Sequence, residues 1–79
     1  MPLYYFHIHN DVEALDLDGQ ELPGPAAARE AAMKGARSLM AEAISNGDAL
    51  VLHHSVEVAD AHGESLFVVT FGDAVTIRP

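Results

Sequence analysis

Leu17-Asp-Gly-Gln-Glu-Leu-Pro-Gly-Pro-Ala-Ala-Ala-Arg-Glu-Ala-Ala32 is the stretch on which the fold turns. To its left the chain is acidic and rich in turn residues; to its right a helix begins. Pro25 suits a first helical position, because its missing N–H would have no intrahelical partner there. Gly24 then becomes the N-cap, and Leu22 is placed to pack back onto the first turns as a hydrophobic staple. The stop lies at Asn46-Gly47, where glycine accepts the left-handed conformation that closes a helix. The predicted helix therefore spans Pro25–Ser45. Helical periodicity puts Ala28, Ala32, Ala36, Leu39, Met40 and Ala43 on one face, with Met33 and Ile44 at its border. Glu30, Lys34, Ser38, Glu42 and Ser45 form the opposite face. A stripe this rich in alanine lets the helix axis lie close to a sheet. Gly35 costs about 1 kcal/mol relative to alanine in mid-helix, and a close backbone approach would account for it.

Working outward, Leu3–His9 alternates as a strand. Tyr4, Phe6 and Ile8 share the expected core face; Leu3, Tyr5, His7 and His9 share the other. The acidic segment Asn10–Gly24 holds Asp11, Glu13, Asp16, Asp18 and Glu21 and no base. Asp18-Gly19 marks a turn, and Val12, Leu15 and Leu17 could form a short extra strand. Beyond the helix, Leu52–Ala59 is a second strand with Val56 and Val58 alternating against Ser55 and Glu57. Asp60-Ala61-His62-Gly63 is a hairpin turn. Ser65–Phe71 is a third strand, apolar on both sides: Leu66 and Val68 on one, Phe67, Val69 and Phe71 on the other. Such a strand is expected at the centre of a sheet. Ala74–Pro79 is a tail or a short added strand. The expected architecture is α+β, ordered β-α-β-β, with a three-stranded sheet in the order first–third–second. One long helix covers one face of that sheet.

The chain has 79 residues, with twelve acids against four bases and a formal net charge of −8. It is a single domain spanning 1–79, near the lower limit for an unaided core; a chain this size buries only about 60–65% of its unfolded surface. With no cysteine, disulfides and thiolate metal sites are excluded. The negative field repels nucleic acid and anionic membranes. No stretch is apolar enough for a membrane span. The first nine residues carry no Lys or Arg, and Leu3–Ile8 is too short for a secretory h-region. A cytoplasmic location is expected.

Candidate chemistry is sparse. His7 and His9 alternate onto one strand face, and His53-His54 open another strand. A His-x-His pair with His53 could ligate zinc, with Glu57 as a possible added acid. Scattered, half-exposed histidines are the competing reading. An EF-hand with Gly19 as its glycine would begin at Ala14 and end at Pro25, so that pattern fails. Ser38, Ser45, Ser55 and Ser65 lack a Gly-x-Ser-x-Gly elbow, and there is no glycine-rich phosphate loop. Arg29, among the helix alanines, is expected to pair with Asp16, Asp18 or Glu21 and anchor the acidic loop.

Four elements carry a resemblance: Tyr5-Phe6-His7-Ile8; Asp16-Leu17-Asp18-Gly19-Gln20-Glu21-Leu22-Pro23; Ala27-Ala28-Arg29-Glu30-Ala31; and Val58-Ala59-Asp60 with Gly63. Together they resemble a family of bacterial proteins of similar length, known as a domain of unknown function. Its members follow a Tyr-Phe strand with an Asp-x-x-Gly-x-Glu-Leu-Pro turn, an Ala-Ala-Arg-x-Glu-Ala helix and a Val-x-Asp…Gly hairpin. Gly24 departs from the pattern where the family often has Asp, as does Ala59 where a charge is common. The resemblance implies the element order and no activity.

The expectation that follows is a small non-enzymatic interaction module without cofactors. It forms a homodimer through the uncovered sheet face (Tyr5, Leu66, Val68) or an edge strand, and it engages another protein. The alternative is a metal- or small-ligand-binding domain that uses the His7/His9 face.

Overall fold

The computed structural model describes residues 1–78. The helix and first strand lie where the sequence puts them. β1 is Leu3–His9 and α1 is Pro25–Ser45. Between them the acidic loop supplies two short strands, β2 (Glu13–Ala14) and β3 (Gln20–Glu21), both antiparallel to β1. After the helix come β4 (Ser55–Ala59), β5 (Ser65–Thr70) and a 3-10 turn at Gly72–Ala74. The second main strand is thus shorter than expected. Residues before Ser55 form a turn, with the His54 N–H on the Val51 carbonyl.

The fold is α+β, with one α-helix on an antiparallel five-stranded sheet. The order β2-β1-β4-β5, with β3 also on β1, corrects the expected first–third–second arrangement. β4 is central and β5 is an edge. The acidic loop carries the chain back alongside the start of β1, where the Leu22 N–H bonds the Pro2 carbonyl. The helix then runs up the sheet and β4 descends antiparallel to β1, pairing His9 with Ser55 and Tyr5 with Ala59. No parallel crossover arises. β5 is apolar on both sides although only the side of Phe67, Val69 and Phe71 packs into the core.

The core lies between α1 and one sheet face. Tyr4 from β1, Val56 and Val58 from β4, and Val69 and Phe71 pack against Ala28, Ala32, Ala36 and Met40. The largest fully buried side chains are only valines, 56, 58 and 69. The alanine stripe expected to face the sheet is buried against it at Ala28, Ala32 and Ala36. Gly35 plays no part in that packing: it lies on the exposed side, and a Cβ there would meet nothing within 4 Å. At the helix end, Gly47 adopts φ +74. The Gly47 and Asp48 N–H groups cap the Ile44 and Ala43 carbonyls at 3.1 and 2.9 Å, closing a Schellman-type stop. The β4–β5 turn is built by Asp60, whose carboxylate accepts the His62 and Glu64 N–H groups. The C-terminal turn is tied down by Arg37, whose Nε donates to the Ala74 carbonyl at 2.8 Å. The tail expected at Ala74–Pro79 forms no strand through residue 78, and Pro79 lies outside the described residues. Among the described residues, no helix is long and apolar enough to cross a membrane.

Candidate functional site

Three surfaces carry the chemistry of this molecule. The first is the sheet face opposite α1. Strand alternation puts Leu3, Tyr5, His7 and His9 of β1 there, with Glu57 of β4 and Leu66 and Val68 of β5. Leu66 is 43% and Val68 51% exposed. The acidic loop reaches this face at His7, whose Nδ1 accepts the Asp16 N–H, and leaves Leu66 and Val68 exposed. Because β1 and β4 are neighbours, His7 lies opposite Glu57 and His9 opposite Ser55. The His9 ring is clasped from both sides, Nε2 at 2.8 Å from Glu57 and Nδ1 at 2.9 Å from Glu13. The Glu57 hydrogen bond raises the His9 pKa above its ordinary value; partial burial opposes this, and the Glu13 charge adds to it. The same His9 bond, followed by one from Ser65, lowers the Glu57 carboxyl. His9 thus ties the short β2 to the central β4 across β1.

The histidine metal reading finds a different arrangement. Both ring nitrogens of His9 are taken by carboxylates. His7 Nδ1 accepts the Asp16 N–H at 3.0 Å, and its ring stacks on Tyr5. His53 is exposed, edge-on to His54. Among the described residues, no group of three or more His, Asp or Glu side chains is placed to hold a metal ion.

The second surface is the acidic loop, and its anchor is not Arg29. Arg29 is exposed, and among the described residues no ion pair joins it to Asp16, Asp18 or Glu21. It lies on the Asp73 side of the helix and contributes to holding that carboxyl low, behind the larger effect of Thr70. The anchor is Asp16 itself. Its Oδ2 accepts the Phe6 N–H at 3.0 Å, and its Oδ1 accepts the Asp18 and Gly19 N–H groups at 3.1 Å each. Partial burial pushes the Asp16 carboxyl up, but these three donors outweigh it and hold it below the ordinary value. Asp18 and Glu21 are exposed; Asp18 joins the turn through its backbone, and Glu21 pairs with Leu3 in the β3 ladder. An Asx turn is the signal that could have revealed this: an Asp followed two and three residues later by Asp and Gly. Gly19 adopts φ +74 with its Cα face against Leu3 and the Tyr4 carbonyl. Only glycine fits both that conformation and that space.

The third surface was not legible in the sequence. A groove of about 520 Å3 opens between the last turns of α1, residues 10–12 and residues 48–54. Its floor is Leu39, Met40, Ala43 and Phe71; Asp11, Glu42 and Asp48 stand on its rim. His54 forms one wall, edge-to-face on Phe71 at 5.7 Å and 3.5 Å from the Asp11 carboxylate.

No curated protein and no solved structure matches this chain. One family model does, over residues 3–72, which takes in β1 through the start of the 3-10 turn and so every element that builds the sheet and the helix. On that match the chain belongs to the family described as Domain of unknown function (DUF6894).

Proposed function

We propose that this protein is a non-catalytic interaction module that works as a homodimer, assembled through the open sheet face and the β5 edge bordering it. One observation carries the reading: Leu66 and Val68 stand 43% and 51% exposed on an edge strand, on the same sheet face as Tyr5 across β4. A soluble monomer rarely leaves a contiguous apolar patch of this kind wet, and a free edge invites pairing with another strand. A two-fold axis satisfies both at once, since each copy offers the other the same patch and the same unpaired backbone. The net charge of −8, with no clustered bases, supports protein rather than nucleic acid as any further partner.

Sedimentation equilibrium over a concentration series tests the dimer. The expected result is twice the 8.4 kDa monomer mass. Val68→Asp should return the monomer without unfolding it, because Val68 faces away from the core. Phe67→Asp should unfold the chain instead, because Phe67 packs against the core. A single species at monomer mass up to about 100 μM rejects the dimer, as a stable interface of standard size holds well below that concentration.

A further inference from the structure

We propose that the groove at the C-terminal end of α1 is a docking site for a basic amphipathic peptide segment of a partner protein. Such a segment presents bulky apolar side chains flanked by Lys or Arg. The proposal rests on the reading of the chain as an interaction module and names where its partner binds. It concerns the helix side of the molecule, away from the open sheet face.

The argument begins with shape and polarity. A concavity of about 520 Å3 lies within the range that holds a ligand. Its floor is apolar, made by Leu39, Met40, Ala43 and Phe71. Two exposed apolar side chains extend that floor to the lips: Val12 on one side at 75% exposure and Leu50 on the other at 41%. A partner with only polar side chains would leave this surface unsatisfied.

Charge then selects among apolar partners. Asp11, Glu42 and Asp48 ring the groove. The negative end of a 21-residue helix also points here, and its last turn holds no basic residue. Carboxylates at a helix C-terminus are unfavourable, and cations there are favourable. The helix has no base of its own to offer at this end. Arg37 is committed to the Ala74 carbonyl and to Glu30, and Arg29 and Lys34 lie earlier on the helix. His54, the one basic group in the wall, already faces Asp11. The complement this site lacks is a cation brought from outside, next to an apolar group that fills the floor.

The test is fluorescence polarisation with three dye-labelled twelve-residue peptides on the intact chain. The first alternates Leu pairs with Lys pairs; the second replaces each Lys with Glu; the third replaces each Leu with Ser. The first should bind at micromolar concentration, and the other two about tenfold or more weaker, because each lacks one half of the complementarity. Ala43→Phe, which fills the floor, and Glu42→Lys/Asp48→Lys, which reverses the rim, should each weaken the first peptide about tenfold. Leu17→Ser, at an exposed position outside the groove lining, should leave its affinity unchanged. No binding of the first peptide overturns the proposal. So does equal binding of the Ser peptide, which would reduce the effect to net charge, and so does full affinity in Ala43→Phe. None of these outcomes touches the dimer, which sedimentation reads separately. Circular dichroism of each variant confirms the fold, and Leu50→Ser, at an exposed lip, provides a second substitution of the apolar lining.

Discussion

Replacing Asp16 with alanine removes the side chain that makes three hydrogen bonds between the acidic loop, its turn and β1. Three backbone N–H groups lose their acceptor: Phe6 in the middle of β1, and Asp18 and Gly19 in the turn. The Phe6 and Gly19 bonds are partly buried, while the Asp18 bond is exposed. A hydrogen bond to a charged group contributes about 1.5–3 kcal/mol when sheltered and much less when water can replace it, so the three together come to about 2–3 kcal/mol. In a domain this size that is a fall of about 10–20 °C in melting temperature. Urea unfolding followed by circular dichroism at 222 nm measures it. Asp16→Asn should fall between, because its amide keeps one oxygen but turns a donor toward other donors. The pH dependence adds a second check. The folded Asp16 carboxyl lies below its ordinary value of 3.8, so its contribution is complete above that value and is lost as the pH falls through the lowered one. The gap between wild type and Asp16→Ala should hold steady at neutral pH and close in strong acid. A midpoint within about 0.5 kcal/mol of wild type, or a gap that persists at low pH, would refute the anchor.

Two further outcomes are expected. Gly35→Ala should stabilise the protein by up to about 1 kcal/mol, because the helix gains a better former and the new methyl meets nothing; a drop in the thermal midpoint would show that the helix face there is covered. A double-mutant cycle of His9→Ala and Glu57→Gln should return a coupling of about 0.5–1 kcal/mol, suited to side chains about a third exposed. The His9 cation contributes fully below 6.5 and is lost as pH rises through its raised folded value, whereas Glu57 contributes above 4.5 and is lost as pH falls through its lowered one. The coupling should therefore be largest between about pH 4.5 and 6.5, and a coupling that grows toward pH 9 would contradict the clasp.

The elements that could be read from the sequence are those fixed by local chemistry. Pro25 and Asn46-Gly47 set the helix ends through backbone rules acting within a few residues, and Tyr4, Phe6 and Ile8 announced the core face of β1 by simple alternation. The sheet order was hidden because it depends on what covers each face. Leu66 and Val68 look like the filling of a central strand until the uncovered face is seen. Ser55 and Glu57 look like the solvent side of a flanking strand, yet they sit at the centre of the sheet with His9 as partner. The loop anchor was hidden in a similar way. Charge counting paired Asp16 with the nearest arginine, whereas its oxygens face N–H groups that only the folded loop brings together. The groove joins residues 10–12 and Phe71 to the chain between Leu39 and His54, and no local pattern marks it.

The pairing of β1 with β4 has a consequence for how the chain comes into being. The two strands are about fifty positions apart in sequence, so β1 joins them only after a long loop is closed. β4 and β5, by contrast, close across one short turn. During synthesis β1 emerges first, and its apolar Tyr-Phe-Ile side must wait until the whole helix and β4 have followed. The acidic loop follows within a few residues and occupies the opposite edge of that strand through β2, β3 and the Asp16 clasp. A row of carboxylates beside an unfinished strand repels other nascent chains, as charged gatekeepers do beside aggregation-prone segments. In the finished fold the loop and β4 together leave β1 paired along both of its edges.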